Sequence, residues 1–155
     1  MNDYVAIIDL NLSNLHNVKL ACDKTKIKVK FTSNHKEILK AKGLILPGIG
    51  SFKEAMKRIK KFKISNAIRE MISNDRPFLG ICLGMQLLFS KGEEFGNTPG
   101  LNIFPGSVKK LKFSKNNKQK YSIPHVGWNK LIIKKKNGIF GNLKDSEFMY
   151  FVHSY

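Results

Sequence analysis

The sequence predicts an α/β protein: a mostly parallel sheet with helices packed against it. Short β-rich runs alternate with helix-like segments through the first third of the 155 residues, which is the signature of βα units. The runs at 5–8 and 44–46 are continuously apolar, as strands buried on both faces are. Pro77 then divides a helical stretch from a further apolar run, because the residue before a proline is pushed out of helical geometry.

In chain order, residues 4–8 read as a strand, 14–24 as a helix, 27–32 as a strand, 35–42 as a helix and 43–46 as a strand. Ser51 can cap a helix running to Lys60, with Glu54 three residues on completing a capping box. Ile64, Ala67, Ile68, Met71 and Ile72 recur at helical spacing. A buried strand at 78–81 follows, and Leu83 begins another helix. Glycines, prolines and shorter extended runs near 108–113, 131–133 and 148–152 then predict antiparallel or mixed sheet in the second half. With no repeat, linker or composition shift, residues 1–155 are expected to form one domain.

An apolar share of 42% and a charged share of 25% fit a folded chain rather than a disordered one. The net charge of +17 raises the question of nucleic acid, anionic membrane or phosphorylated substrates. Nearly all of that charge is lysine, however, and Arg58, Arg69 and Arg76 are the only guanidinium groups. Base and phosphate recognition favour arginine, and stacking aromatics do not interleave with the lysines, so a solvated lysine surface is expected, with no nucleic acid and no membrane. Cys22 and Cys82 are too few for a disulfide framework or a zinc site, which predicts a reducing, cytoplasmic setting and no metal. The first residues lack the basic start and long apolar stretch of a signal peptide.

The run Gly80-Ile81-Cys82-Leu83-Gly84 carries a strand straight into a helix with a nucleophilic side chain at the turn. That is the layout of a nucleophile elbow, in which small residues two before and two after the nucleophile let neighbouring backbone pass. At a helix start the thiol would face unpaired N–H groups and the positive end of the dipole, which favour thiolate, and the N–H of Leu83 could donate to an oxyanion. The bland alternative is a small buried cysteine beside glycines that permit close packing.

Gly80-Ile81-Cys82-Leu83-Gly84-Met85-Gln86-Leu87-Leu88-Phe89 resembles the nucleophile motif of the class I glutamine amidotransferases. Pro47-Gly48-Ile49-Gly50-Ser51-Phe52 is similar to that family's oxyanion strand. Pro124-His125-Val126-Gly127-Trp128-Asn129 and Tyr150-Phe151-Val152-His153-Ser154-Tyr155 resemble its tryptophan element and its glutamine-holding strand. The resemblance spans the chain and implies a flavodoxin-like, class I glutamine amidotransferase fold. It implies that Cys82 attacks the side-chain amide of glutamine, that Leu83 and the peptide around Ile49 and Gly50 form the oxyanion hole, and that Gln86, Ser154 and Tyr155 hold the amino-acid end. Trp128 and Asn129 are implied to lie at an interface with a (β/α)8-barrel cyclase/synthase, which receives the ammonia in histidine biosynthesis. No cofactor is implied.

Two departures qualify this picture. Family members carry a His-x-Glu pair after further sheet, and His16, His35, His125 and His153 do not match its position. The expectation is a chain lacking the C-terminal part of the domain, with an unfinished sheet edge and little glutaminase activity alone. Early in the chain, Asn11 and Ser13 stand where relatives have glycine, and Asn11 can keep a left-handed turn. This divergence leaves open two alternatives: an ammonia supplier for an aminosugar amidotransferase of surface-polysaccharide synthesis, or a catalytically impaired remnant of the fold.

Overall fold

Strand β1 (Val5–Ile8) pairs in parallel with β2 (Val29–Thr32) on one side and with β3 (Gly43–Gly48) on the other, and β3 pairs in parallel with β4 (Phe78–Cys82). The order β2-β1-β3-β4 is that of an open doubly wound sheet. The computed structural model describes residues 3–12, 14–112, 122–135, 138–144 and 146–155. These divide into two compact units, Met1–Val108 and Lys109–Tyr155.

In the first unit, side-chain alternation along the strands builds two apolar layers. Ala6, Ile8, Leu44 and Leu46 face one side, where they join Ile38, Phe52, Met56, Ile59 and Ile68; Ile7 and Ile45 face the other with Cys22. The first layer is supplied by α2 (His35–Lys40), α3 (Phe52–Lys61) and α4 (Ser65–Ser73), the second by α1 (Leu15–Lys24). Every residue of β3 is buried, as a central strand under helices on both faces requires. β4 differs from the expected buried strand. It is the last strand of this sheet, and the layer against α1 stops short of it, so Leu79 and Ile81 are 37% and 38% exposed.

The helices start where side-chain caps are available. Asn14 Oδ1 accepts from Asn17 N, Asn34 Oδ1 from Lys36 N and Glu37 N, and Ser51 Oγ from Glu54 N. The expected capping box at α3 is half realised. The Glu54 carboxylate accepts from Arg58 Nε at 3.0 Å, while Glu94 Oε2 accepts from Phe52 N at 2.8 Å at the helix start.

The helix begun by Leu83, α5 (Leu83–Gln86), is a single turn. The chain then enters β5 (Phe89–Gly92), which pairs antiparallel with β6 (Thr98–Pro99) and parallel with β7 (Phe104–Val108). The extended run expected at 108–113 thus ends where it was expected to begin; residues 113–121, like Ser13, lie outside the described residues. The second unit contains an antiparallel hairpin of β8 (His125–Lys130) and β9 (Phe148–His153), so the strand expected at 131–133 lies earlier. No helix among the described residues is long and apolar enough to cross a membrane.

Candidate active site

Because β1, β3 and β4 are parallel, their carboxyl ends open on one edge of the sheet: β1 into Asp9 to Leu12, β3 into Ile49 and Gly50, and β4 into the Cys82 turn. The strand order reverses between β1 and β3, and in open α/β sheets the crevice beyond such a reversal is where ligands bind. Asn11 adopts φ 55°, the left-handed turn expected of it, and its N–H donates to Asp9 Oδ1 at 2.7 Å.

Cys82 ends β4 and precedes the single turn of α5, with φ 52° and ψ −118°. Left-handed φ is costly for a residue with a Cβ, and strain of this kind, about 1–3 kcal/mol, persists only when the surroundings over-determine it. The surroundings here are glycines. A Cβ on Gly80 would lie 2.7 Å from Met85 Cα, one on Gly84 would collide with the main-chain oxygen of Leu46, and one on Gly48 would lie 3.0 Å from both Gly84 N and Leu83 Cβ. Gly48 and Cys82 are direct partners in the β3–β4 register, so the loop of Ile49 and Gly50 leaves the sheet beside the elbow. Gly50 holds φ 86° with open space where a Cβ would be, and Ile49 is 57% exposed. This stretch can reorient without clearing a side chain at Gly50.

Cys82 is exposed and outside any disulfide, whereas Cys22 is buried and its thiol is pushed up chiefly by burial and secondarily by Asp23. A reactive cysteine must be reachable, and Cys82 is the reachable one. A four-residue helix has only a short dipole, so turn geometry sets this site more than helix length does. Leu83 is buried beneath the elbow, and Gln86 closes α5. Glu94 escaped the sequence reading. Its carboxylate anchors the start of α3, two residues after Gly50, and only its acidity in a basic chain could have signalled it.

In the second unit, Trp128 stands 69% exposed with its ring edge against Tyr150, their centroids 5.5 Å apart. It shares a hairpin face with Val126, Phe148, Tyr150 and Val152, all exposed. Asn129 points to the opposite face, where its amide meets the His125 ring. Ser154 and Tyr155 follow β9, and Leu111 N donates to Ser154 O at 2.8 Å.

A strained, exposed cysteine at a strand-to-helix turn on a doubly wound sheet has the layout of a nucleophile elbow. The chain belongs to the class I glutamine amidotransferases, matching the family Glutamine amidotransferase class-I over residues 6–155. Among curated relatives, the imidazole glycerol phosphate synthase subunit HisH of Bacillus cereus (strain B4264) is 41% identical over 151 residues, covering 97% of this chain and 69% of that protein. The subunit of the same name from Caldanaerobacter subterraneus subsp. tengcongensis is 46% identical, covering 97% and 71%. A crystal structure of a glutamine amidotransferase superposes with a TM-score of 0.69 at 17% identity, covering 96% of this chain and 70% of that one. A putative peptidase E protein from Listeria monocytogenes EGD-e superposes with a TM-score of 0.57 at 14% identity over 67% of this chain and 64% of that one. These two structural likenesses concern the fold.

Proposed function

We propose that this chain is the glutaminase subunit of an imidazole glycerol phosphate synthase, hydrolysing glutamine to glutamate and ammonia for histidine biosynthesis. The observation that carries the reading is 41–46% identity along nearly the whole chain to subunits of that name, in a chain whose Cys82 sits on a strained, exposed elbow. The Cys82 thiolate attacks the side-chain carbonyl carbon of glutamine. The carbonyl electron pair moves onto oxygen, the tetrahedral adduct expels ammonia as nitrogen takes up a proton, and water hydrolyses the glutamyl thioester.

The transient oxyanion is assigned to the N–H of Leu83 and to the peptide of Ile49 and Gly50. The Gly48–Cys82 register and the open surroundings of Gly50 support that assignment. Gln86, Ser154 and Tyr155 hold the amino-acid end of glutamine. The partner is a (β/α)8-barrel cyclase/synthase in the cytoplasm, met through Trp128 and Asn129. Support for the Trp128 part of this interface comes from the exposed apolar face around it, since aromatic side chains are enriched at interfaces; Asn129 lies on the opposite hairpin face.

The test is covalent capture. A chloroketone analogue of glutamine, added to the chain together with a barrel synthase, is expected to alkylate Cys82 and not Cys22, with L-glutamine protecting. Labelling that glutamine fails to prevent, or an unlabelled Cys82, overturns the reading.

A further inference from the structure

The face of the β8–β9 hairpin opposite Trp128 carries a continuous hydrogen-bond chain for which the proposed reaction gives no role. Asn129 Nδ2 lies 2.8 Å from His125 Nε2, His125 Nδ1 lies 3.0 Å from His153 Nε2, and His153 Nδ1 lies 2.9 Å from the main-chain oxygen of Tyr155. The last contact fixes the sense of all three. A main-chain oxygen only accepts, so His153 Nδ1 carries the proton and donates it. The Nε2 of an uncharged His153 then accepts from His125 Nδ1, and His125 Nε2 accepts from the Asn129 amide. With both rings uncharged, all four ring nitrogens have a matched partner.

The surroundings hold this geometry. His125 and His153 are direct cross-strand partners, and the Phe151 ring stacks on His125 with centroids 5.6 Å apart and 26° between planes. Where the chain leaves β9, the main-chain oxygen of Ser154 accepts from Leu111 N, and that of Tyr155 accepts from His153. Two consecutive main-chain oxygens are therefore fixed, one by backbone and the other by a side chain.

We infer that His153, backed by His125 and Asn129, is a positioning residue for the glutamine clamp: the relay fixes the main chain of Ser154 and Tyr155 and so sets affinity for glutamine rather than the rate of thiol attack. The inference rests on the proposed assignment of Ser154 and Tyr155 to the amino-acid end of glutamine. Its chemical basis is one hydrogen bond that orients recognition groups before the ligand arrives, lowering the ordering cost of binding.

Alkylation of Cys82 by the glutamine chloroketone, measured in the complex with the synthase, separates affinity (KI) from reactivity (kinact). His153→Phe, which removes the donor, is expected to raise KI about tenfold, the equivalent of one hydrogen bond, and to leave kinact within about twofold. His153→Asn, whose amide nitrogen can stand in for Nδ1, is expected to restore KI to within about threefold of the unsubstituted chain. In 15N spectra of histidine-labelled protein at neutral pH, two of the four rings should show a protonated Nδ1 and a bare Nε2, and those signals should vanish in His125→Gln and His153→Asn. Saturable labelling with an unchanged KI in His153→Phe, or protonated Nε2 on these rings, overturns the inference alone. An unsubstituted protein that does not label overturns the functional reading and the inference with it.

Discussion

Cys82 combines exposure with a backbone geometry that disfavours any side chain, φ 52° and ψ −118°. The tight approaches at Gly48, Gly80 and Gly84 hold it there, so the strain belongs to the position rather than to the thiol. Glycine alone is at ease in such a conformation. Cys82→Gly is therefore expected to be more stable than Cys82→Ala by about 1 kcal/mol, even though both lack the thiol. Chemical denaturation of the two variants decides it, and equal midpoints would mean that the turn is not strained in solution. This feature was legible from residue types because the requirement is local: the glycines flank the nucleophile and the run begins as a strand. Glu94 was not legible. Its bond to Phe52 N joins residues 42 apart in sequence, and no periodicity marks such a pair.

Among the elements, β2 and α2 show how side chains fasten a strand to the helix after it. Thr32 is the one buried polar side chain among the described residues; its hydroxyl donates to Glu37 Oε2 at 2.6 Å and accepts from Asn34 N at 2.9 Å. Glu37 Oε1 also accepts from Lys30 Nζ at 2.8 Å. Lys30 first and Thr32 second hold the Glu37 carboxyl below its ordinary value of 4.5. A lowered folded-state value means that the contribution is fully present above 4.5 and is lost as pH falls through the folded-state value. The Lys30 ammonium is raised above its ordinary value, principally by the same Glu37, so the pair also weakens at strongly alkaline pH. Glu37→Gln is expected to lower the melting temperature modestly above pH 4.5, because the pair is exposed and partly screened, and to match the unsubstituted chain at low pH, so that the acid limb flattens. An acid limb identical in both proteins counts against the Glu37 link. The length of α5 shows where pattern reading stops. Residues 83–89 are apolar enough to continue as helix, but Leu101 N takes Leu87 O, and Ile103 N and Phe104 N take Leu88 O. Carbonyls that would have extended the helix are used by a segment more than ten residues downstream, a competition invisible in a local window.

At the scale of the whole molecule, the alternating strands and helices fixed the parallel order of the first unit, since each βα unit must lay its next strand beside an earlier one with a helix across the face. The hairpin was harder to locate, because Gly127 and Pro124 interrupt its apolar signal and its register pairs residues 18 to 28 apart in sequence. Charge remains the property that no single element explains. Lys and Arg number 28 against 11 Asp and Glu, and six ion pairs among the described residues engage Lys19, Lys28, Lys30, Lys42, Arg58 and Lys91. The remaining excess repels itself, and it also draws the chain toward any acidic surface. Salt acts oppositely on these two effects. Raising NaCl from about 10 mM to about 200 mM shortens the Debye length from about 30 Å to below about 10 Å. Screening should then raise the melting temperature of the isolated chain. If the lysines steer it onto an acidic face of the proposed synthase, the association rate should fall about tenfold over the same range. Stopped-flow association and thermal melts at matched salt read the two effects separately. A melting temperature that rises while association stays constant would confine the charge to self-repulsion, with the exposed Trp128 face left to select the partner by shape and apolar contact.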